Sequence, residues 1–291
     1  MTPDSRSLSG RLFVGAQHLL PQHLLSRGMH ALARSRWSPL KNLFIRSFLR
    51  FYAVNLAEAE HSDPTAYESF NAFFTRALKP GARVIDWAAE ALVSPVDAVV
   101  SQAGRIERDM LLQAKGIHYA AAALLGGDAA RARPFEGGRF ATLYLAPYDY
   151  HRIHMPLAGT LTSVTFIPGD LFSVNAVTAA GVPGLFARNE RIACLFDTAV
   201  GPVAIVLVGA LFVGSMSLAW LGEVEVDGSK APRELPLGEP LPAFDKAAEL
   251  GRFNMGSTVI VMLPPDAVEW SSGLTPGSAV RLGERIGTLR R

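Results

Sequence analysis

Three segments of the sequence carry side chains that together could activate a hydroxyl group. Asp97 stands in "SPVDAVV", His154 in "YDYHRIHMP" and Ser257 in "FNMGSTVIV". A serine hydroxyl becomes a nucleophile when an imidazole takes its proton, and a carboxylate can orient that imidazole. The order Asp, His, Ser is one of several that occur in such triads. The residue types leave three interpretations of Ser257 open: an ordinary turn residue, the nucleophile of a hydrolase, or a residue that attacks its own backbone.

The second histidine of that segment, His151, lies three positions before His154. In an extended segment, side chains three positions apart point to opposite faces, so the two histidines are expected to have different roles. Cys194 is the only cysteine, which excludes an internal disulfide and a multi-cysteine metal site. No further ligand set accompanies the two histidines, and no metal is predicted. Glu223, in "GEVEVDG", is predicted to lie on a solvated strand face.

The elements that must position these residues are mainly strands. From about residue 90, short β-rich runs alternate with Gly and Pro turns. The pattern predicts an α+β fold with a mostly antiparallel β core of the barrel-sandwich type and N-terminal amphipathic helices. Residues 198–222 contain no charged side chain and are long enough to cross a membrane. Because Pro202, Gly209 and Gly214 interrupt this segment, it is predicted to form two buried strands, with a spanning helix as the alternative.

The N-terminal region differs in charge and periodicity from the rest of the chain. Residues 1–57 contain eight basic residues and one acid, although the net charge of all 291 residues is only +2. Residues 39–52 predict a helix with Arg46 and Arg50 on one face. Its other face carries apolar side chains (Leu40, Phe44, Phe48, Phe51 and Tyr52). This pattern favours an anionic membrane surface over nucleic acid as the partner, with packing on the protein's own domain as the alternative.

The composition sets the size of the core and the domain organisation. Hydrophobic residues make up 49% and charged residues 19% of the chain, which is enough for a large core. The mean hydropathy of +0.21 indicates membrane contact, and no cleavable signal sequence is evident. We predict a helical membrane-associating segment over residues 1–80 and a β-rich catalytic domain over residues 81–291.

Six motifs, taken in order, resemble the phosphatidylserine decarboxylase proenzymes, the pyruvoyl-dependent type of bacteria and organelles. They are "ESFNAFFTRALKPGAR", "SPVDAVV", "QAKGIHYAAAALLGG", "YDYHRIHMP", "VGALFVGSM" and "FNMGSTVIV". The likeness runs from about residue 60 to the end of the chain. The sequence departs from the family at three positions: the family usually has Gly at Ala98, Leu at Met255 and Gly at Ala247.

The resemblance implies a self-cleaving zymogen. Ser257 would attack the carbonyl of Gly256, His154 would take the serine proton, and Asp97 would orient His154. Cleavage between Gly256 and Ser257 would give a β chain (residues 1–256) and an α chain (residues 257–291). The two chains would remain together as a heterodimer, with a dimer of heterodimers as a further assembly.

The resemblance also implies the reaction. Ser257 would become a covalent pyruvoyl group that forms a Schiff base with phosphatidylserine and yields phosphatidylethanolamine. His151 would donate a proton or bind the substrate carboxylate, with Tyr144 and Asp149 in support. The enzyme would be a lyase of phospholipid biosynthesis, peripheral on the cytoplasmic face of the cell membrane, the inner membrane in a bacterium. The alternative function is a serine hydrolase that uses Asp97, His154 and Ser257 on an external ester.

Overall fold

A computed structural model describes residues 7–212, 215–224, 229–254 and 257–290 of the chain. The longer helices come first and the strands follow from Ala91 onward. The α-helices are α1 (Leu8–Leu19), α2 (Gln22–Ala33), α3 (Ser38–Phe51), α4 (Phe70–Phe74), α5 (Ala121–Leu124), α6 (Ala129–Ala132), α7 (Ala176–Ala179) and α8 (Leu185–Arg188). The strands are β1 (Ala91–Val93), β2 (Ala98–Arg105), β3 (Met110–Ala114), β4 (Ile117–Ala120), β5 (Arg139–Leu145), β6 (Arg152–His154), β7 (Gly159–Ile167), β8 (Arg191–Thr198), β9 (Gly201–Val208), β10 (Met216–Leu218), β11 (Gly222–Glu223), β12 (Arg233–Glu234), β13 (Ala243–Phe244), β14 (Glu249–Phe253), β15 (Ser257–Leu263), β16 (Val268–Trp270), β17 (Ala279–Val280) and β18 (Arg285–Leu289).

The strands form one large sheet and three small ones. The large sheet has the order β12-β7-β8-β9-β15-β5-β2-β17, with β13 also paired to β7. The small sheets are β1-β18-β16, β11-β10-β14-β6 and β3-β4. The paired strands run antiparallel, which confirms the predicted α+β class with an antiparallel core. Over the described ranges the large sheet stays open at both edges, so the arrangement is sandwich-like rather than a closed barrel.

The described parts of the uncharged segment 198–222 include strands, as predicted from its proline and glycines. It contributes β9 and β10, and β9 is buried in the middle of the large sheet. No helix in the described part of the chain has the length and apolar character needed to cross a bilayer.

Strand β15 forms the centre of the core. Each of its residues is buried, and it pairs with β5 on one side and β9 on the other. Val259 and Val261 face one apolar cluster, whereas Ile260 and Met262 face a second cluster on the other side of the sheet. A strand buried on both faces needs apolar side chains at successive positions, which explains the run "TVIVML".

Helix α3 packs on its own domain through part of its predicted apolar face. Phe44 and Phe48 join the aromatic cluster of α4, and Phe48 lies 5.5 Å from the ring of Phe70. Phe51, which was predicted on the same face, is instead 79% exposed. After α3, Asp63 caps a 3-10 turn, and α4 begins only after Ser69. The division at residue 80 stays a prediction.

Side chains at the end of helix α2 attach it to the small sheet β11-β10-β14-β6. Glu223 accepts hydrogen bonds from His30 at 2.8 Å and from Arg34 at 2.7 Å. Glu223 is exposed on β11, as predicted for a solvated strand face, and it also binds these two side chains. The other acids of that motif, Glu225 and Asp227, lie outside the described residues.

Candidate active site

Strand β15, which begins at Ser257, lies in a different sheet from β14, which ends at Phe253. Strand β14 pairs with β6 in the small sheet, and β15 begins at Ser257 in the large sheet. Gly251 permits the close approach of β14 to β10, because a Cβ atom there would collide with the carbonyl oxygen of Ser217. Met255 and Gly256 lie outside the described residues. The candidate nucleophile thus begins a buried strand directly after a change of sheet.

The hydroxyl of Ser257 is enclosed and unpaired. Ser257 is 1% exposed, and its Oγ has no hydrogen-bond partner within the described ranges. Leaving a buried hydroxyl unpaired costs about 1–3 kcal/mol, so such a group in a folded protein needs an explanation. A role in chemistry at the adjacent peptide bond provides one.

The hydrogen bonds of His154 define its tautomer. Its Nδ1 lies 2.8 Å from the carbonyl oxygen of Ala247. Because a carbonyl only accepts, Nδ1 carries the proton in this bond. Its Nε2 lies 3.0 Å from the hydroxyl of Tyr150, which donates to the free lone pair. Burial lowers the pKa of His154, although the bond to Ala247 opposes that effect, so the ring is neutral and can act as a base.

Asp97 is held by an arginine and by the C-terminal part of the chain. Its carboxylate accepts from Arg83 Nε at 2.9 Å and from Arg83 Nη2. It also accepts from the backbone N–H of Leu282 at 2.9 Å. Ser94 shapes the turn before it by donating to the carbonyl oxygen of Val96. Asp97 is therefore fixed and only 8% exposed.

His151 is fully buried beside α4. Its Nδ1 lies 2.9 Å from the carbonyl oxygen of Asp149 and therefore carries the proton. Its Nε2 is buried without a partner among the described residues, and the ring lies 4.1 Å from that of Phe74. Burial lowers the pKa of His151 to about 3. The ring is therefore neutral, with a lone pair at Nε2.

The two supporting residues lie in different places. Asp149 accepts from the backbone N–H of Ala146 at 2.7 Å, and burial raises the pKa of its carboxyl to about 6. Tyr144 pairs with Thr258 across the sheet and packs against the second apolar cluster. Because neighbouring strand residues point to opposite faces, Tyr144 lies on the other side of the sheet from Ser257.

Backbone hydrogen bonds bring the three segments that carry the candidate residues side by side. The N–H of His154 donates to the carbonyl oxygen of Pro95 at 2.9 Å, and the N–H of Phe253 donates to that of His151 at 3.1 Å. Within the described residues, neither Asp97 nor Ser257 hydrogen-bonds to His154. The predicted roles of these side chains stay predictions.

Sequence patterns missed several residues that hold the site in place. Arg83 and the carbonyl of Ala247 are distant in sequence from the groups they bind. Ala247 has a φ of 65°, a left-handed conformation that favours glycine, and the family usually has Gly there. The alanine at position 247, where the family usually has glycine, was the one sequence signal that could have revealed the role of this backbone carbonyl. Ala98 has no positive φ and needs no glycine.

Comparison with known proteins identifies the family. The family model for phosphatidylserine decarboxylase matches residues 70–288, and a model described as PSD matches residues 12–53. The chain belongs to the phosphatidylserine decarboxylase family. Proteins named phosphatidylserine decarboxylase proenzyme from Marinobacter nauticus and Methylococcus capsulatus are 52% and 50% identical to it. These matches cover 96% and 98% of this chain and 98% and 99% of the relatives. The serine hydrolase alternative gains no support from these relatives.

Proposed function

We propose that this protein decarboxylates phosphatidylserine to phosphatidylethanolamine with a pyruvoyl group made from its own Ser257. The observation that carries the proposal is the buried, unpaired Oγ of Ser257 at the start of β15, in a chain whose relatives are named as proenzymes of this decarboxylase. While the chain is uncut, a hydroxyl enclosed in this way is closed to an external ester. It is next in sequence to the amide that joins it to Gly256.

Self-cleavage would begin at that amide. The Oγ of Ser257 attacks the carbonyl carbon of Gly256, the C–N bond breaks, and the serine proton passes to the departing nitrogen through His154 Nε2. The ester that results is split by β-elimination, in which Cα of residue 257 loses a proton and Gly256 leaves as a carboxylate. The remaining dehydroalanine tautomerises to an imine, and water releases ammonia to give the ketone. Because Tyr150 occupies Nε2, its hydroxyl must turn away before His154 can act.

The environment of Ser257 fits a pyruvoyl group. Ser257 is itself the precursor, and Nε2 of His151 is a second buried polar atom that has no partner among the described residues. The pyruvoyl ketone supplies an electron sink for the loss of CO₂. His151 would take up a proton from solvent at Nε2 and give it to the substrate carbon; because burial lowers its pKa to about 3, the protonated ring is a strong acid that releases this proton readily.

The N-terminal helices would bring the enzyme to its lipid substrate. Leu8, Leu12 and Leu19 lie on one face of α1 and are 75%, 64% and 87% exposed. Arg11, Arg27, Arg46 and Arg50 are exposed on the same three helices. Apolar side chains combined with basic ones match an anionic membrane surface. We propose peripheral association with the cytoplasmic face of the membrane through α1–α3.

Intact-mass measurement tests the proposal. The wild-type protein is expected to give two masses under denaturing conditions. One belongs to residues 1–256, and the other to residues 257–291 with a pyruvoyl group at the N-terminus. Ser257→Ala removes the nucleophile and His154→Ala removes the base, so each variant is expected to stay whole. A wild-type protein that decarboxylates phosphatidylserine as a single uncut chain would overturn the proposal.

A further inference from the structure

Asn254 lies two residues before Gly256 in the sequence, and hydrogen bonds hold both its backbone and its side chain. It is 4% exposed, and its backbone N–H donates to the carbonyl oxygen of Ser215 at 3.1 Å. Its side-chain amide donates to Ser215 Oγ at 2.7 Å and to Ser217 Oγ at 3.2 Å. Its amide oxygen accepts from Asn71 Nδ2 of α4 at 3.3 Å. Asn254 thereby joins the small sheet to the helix that covers His151.

These contacts fix one end of the segment that must react. The other end, Ser257, is fixed by its pairing with Leu145 in the large sheet. Only Met255 and Gly256 separate the two fixed points. An attack by a hydroxyl on its own preceding amide depends on the direction from which the oxygen approaches, and a misplacement of about 1 Å can cost about 100-fold in rate.

We infer that Asn254 is a positioning residue for self-cleavage, which holds the chain before Gly256 in the conformation that exposes its carbonyl to Ser257. The inference depends on the proposed function, because it assumes cleavage at this bond. Among the described residues, the Asn254 side chain hydrogen-bonds to Ser215, Ser217 and Asn71 rather than to Ser257. These hydrogen bonds also extend to the N-terminal helices, since Arg34, the residue directly after α2, donates to the same Ser215 Oγ at 3.2 Å.

The test is a time course of precursor cleavage after cell-free synthesis. Asn254→Ala is expected to slow cleavage at least about tenfold, since the amide then loses its fixed orientation. Asn189→Ala is the matched control. Asn189 is also buried, at 0% exposure, and its amide also makes three hydrogen bonds, two to Phe172 and one to Gly209. It is expected to cleave at close to the wild-type rate.

Stability must be separated from positioning. Each asparagine variant is also made with Ser257→Ala, and urea unfolding of these uncut proteins gives the loss of stability alone. Ser215→Ala and Ser217→Ala each remove one hydrogen-bond partner of the Asn254 side chain. Their cleavage rates test the inference if Asn254→Ala fails to fold. Ser215→Ala combined with Asn254→Ala should be no slower than Asn254→Ala, because Asn254→Ala already removes the hydrogen bond between the two side chains.

The outcomes distinguish the inference from the proposed function. Slow cleavage of folded Asn254→Ala beside normal cleavage of an equally destabilised Asn189→Ala supports the positioning role. Wild-type cleavage by Asn254→Ala, or equal slowing of both variants at equal loss of stability, overturns it. A wild-type chain that never cleaves overturns the proposed function instead.

Discussion

His154 is oriented by a backbone carbonyl. A carboxylate that hydrogen-bonds to an imidazole both fixes the tautomer and stabilises the charged ring, whereas a carbonyl mainly fixes the tautomer. In the present structure the carbonyl of Ala247 occupies Nδ1, and the carboxylate of Asp97 is bound to Arg83 and Leu282. The proposed charge relay therefore requires either a rearrangement of Asp97 or an effect of its charge through space.

Tyr150→Phe tests whether the hydrogen bond from Tyr150 to His154 Nε2 slows self-cleavage. The Tyr150 hydroxyl donates to Nε2 and must be displaced before this atom can take the serine proton. Removing a hydrogen bond worth about 1 kcal/mol should raise the cleavage rate about fivefold. The measurement is the half-time of the uncut precursor by denaturing electrophoresis, with Tyr119→Phe, at another buried tyrosine, as control. Slower cleavage by Tyr150→Phe would show that the hydroxyl assists the reaction instead.

Ala247→Gly is expected to stabilise the protein. Ala247 has a φ of 65°, where a Cβ atom costs about 1–2 kcal/mol that glycine does not incur. The greater freedom of glycine in the unfolded chain offsets part of this gain, which leaves about 1 kcal/mol. Urea unfolding with Ser257→Ala present measures the difference without interference from cleavage.

The neighbouring Ala248→Gly is the control for that measurement. Ala248 has no positive φ, so the substitution should lower the free energy of unfolding by about 0.5–1 kcal/mol. A loss of stability in Ala247→Gly as large as that in Ala248→Gly would contradict the argument from backbone strain.

Among the secondary-structure elements, the N-terminal helices divide their apolar residues between two environments. Phe44, Phe48 and Ile45 of α3 pack with α4, and Lys41 is buried against the carbonyl oxygen of Tyr67. The leucines of α1 and α2 remain largely exposed, and so does Phe51. Deleting all three helices would therefore remove Phe44 and Phe48 from the aromatic cluster around α4, which lies beside His151. Substitutions of single side chains are better probes of membrane binding.

Replacing Leu8, Leu12 and Leu19 together by Gln is expected to weaken binding to phosphatidylglycerol vesicles at least about tenfold, since each buried leucine contributes about 1.5–3 kcal/mol. Vesicle flotation measures the bound fraction. Leu241→Gln, at a leucine 47% exposed outside these helices, is the control and should bind normally. Self-cleavage should be unchanged in both proteins. Equal flotation of the triple variant and the control would exclude α1 as the membrane contact.

The sequence was most informative where one local rule decides the structure. The breaks at Pro202 and Gly209 predicted strands in an uncharged segment, and β9 and β10 confirm them. It failed where a tertiary contact decides. Nothing local distinguishes Phe48, which is packed, from Phe51, which is exposed, because α4 alone determines which side of α3 is covered. The partners of Asp97 and His154 were likewise hidden, since Leu282 and Ala247 bind through backbone atoms, and only the departure from the family's usual glycine at Ala247 pointed to either position.

The complete fold places the candidate α chain inside the β chain. Its first strand, β15, lies between β5 and β9, and its later strands β17 and β18 pair with β2 and β1. Leu282 of the same segment binds the Asp97 carboxylate. Cleavage at Gly256–Ser257 would thus remove one peptide bond and leave the strand pairing intact.

The two chains are therefore expected to stay together after cleavage. Five successive side chains of β15, from Val259 to Leu263, are each 0% exposed, and their burial contributes on the order of 10 kcal/mol. Native mass spectrometry of the processed protein should show one complex that contains both chains, while denaturing conditions should separate them. Gel filtration across a urea series should release residues 257–291 only at the concentration that unfolds the β chain. Loss of the α chain in buffer without urea would contradict this, because a strand paired on both edges cannot leave while its two neighbours remain folded.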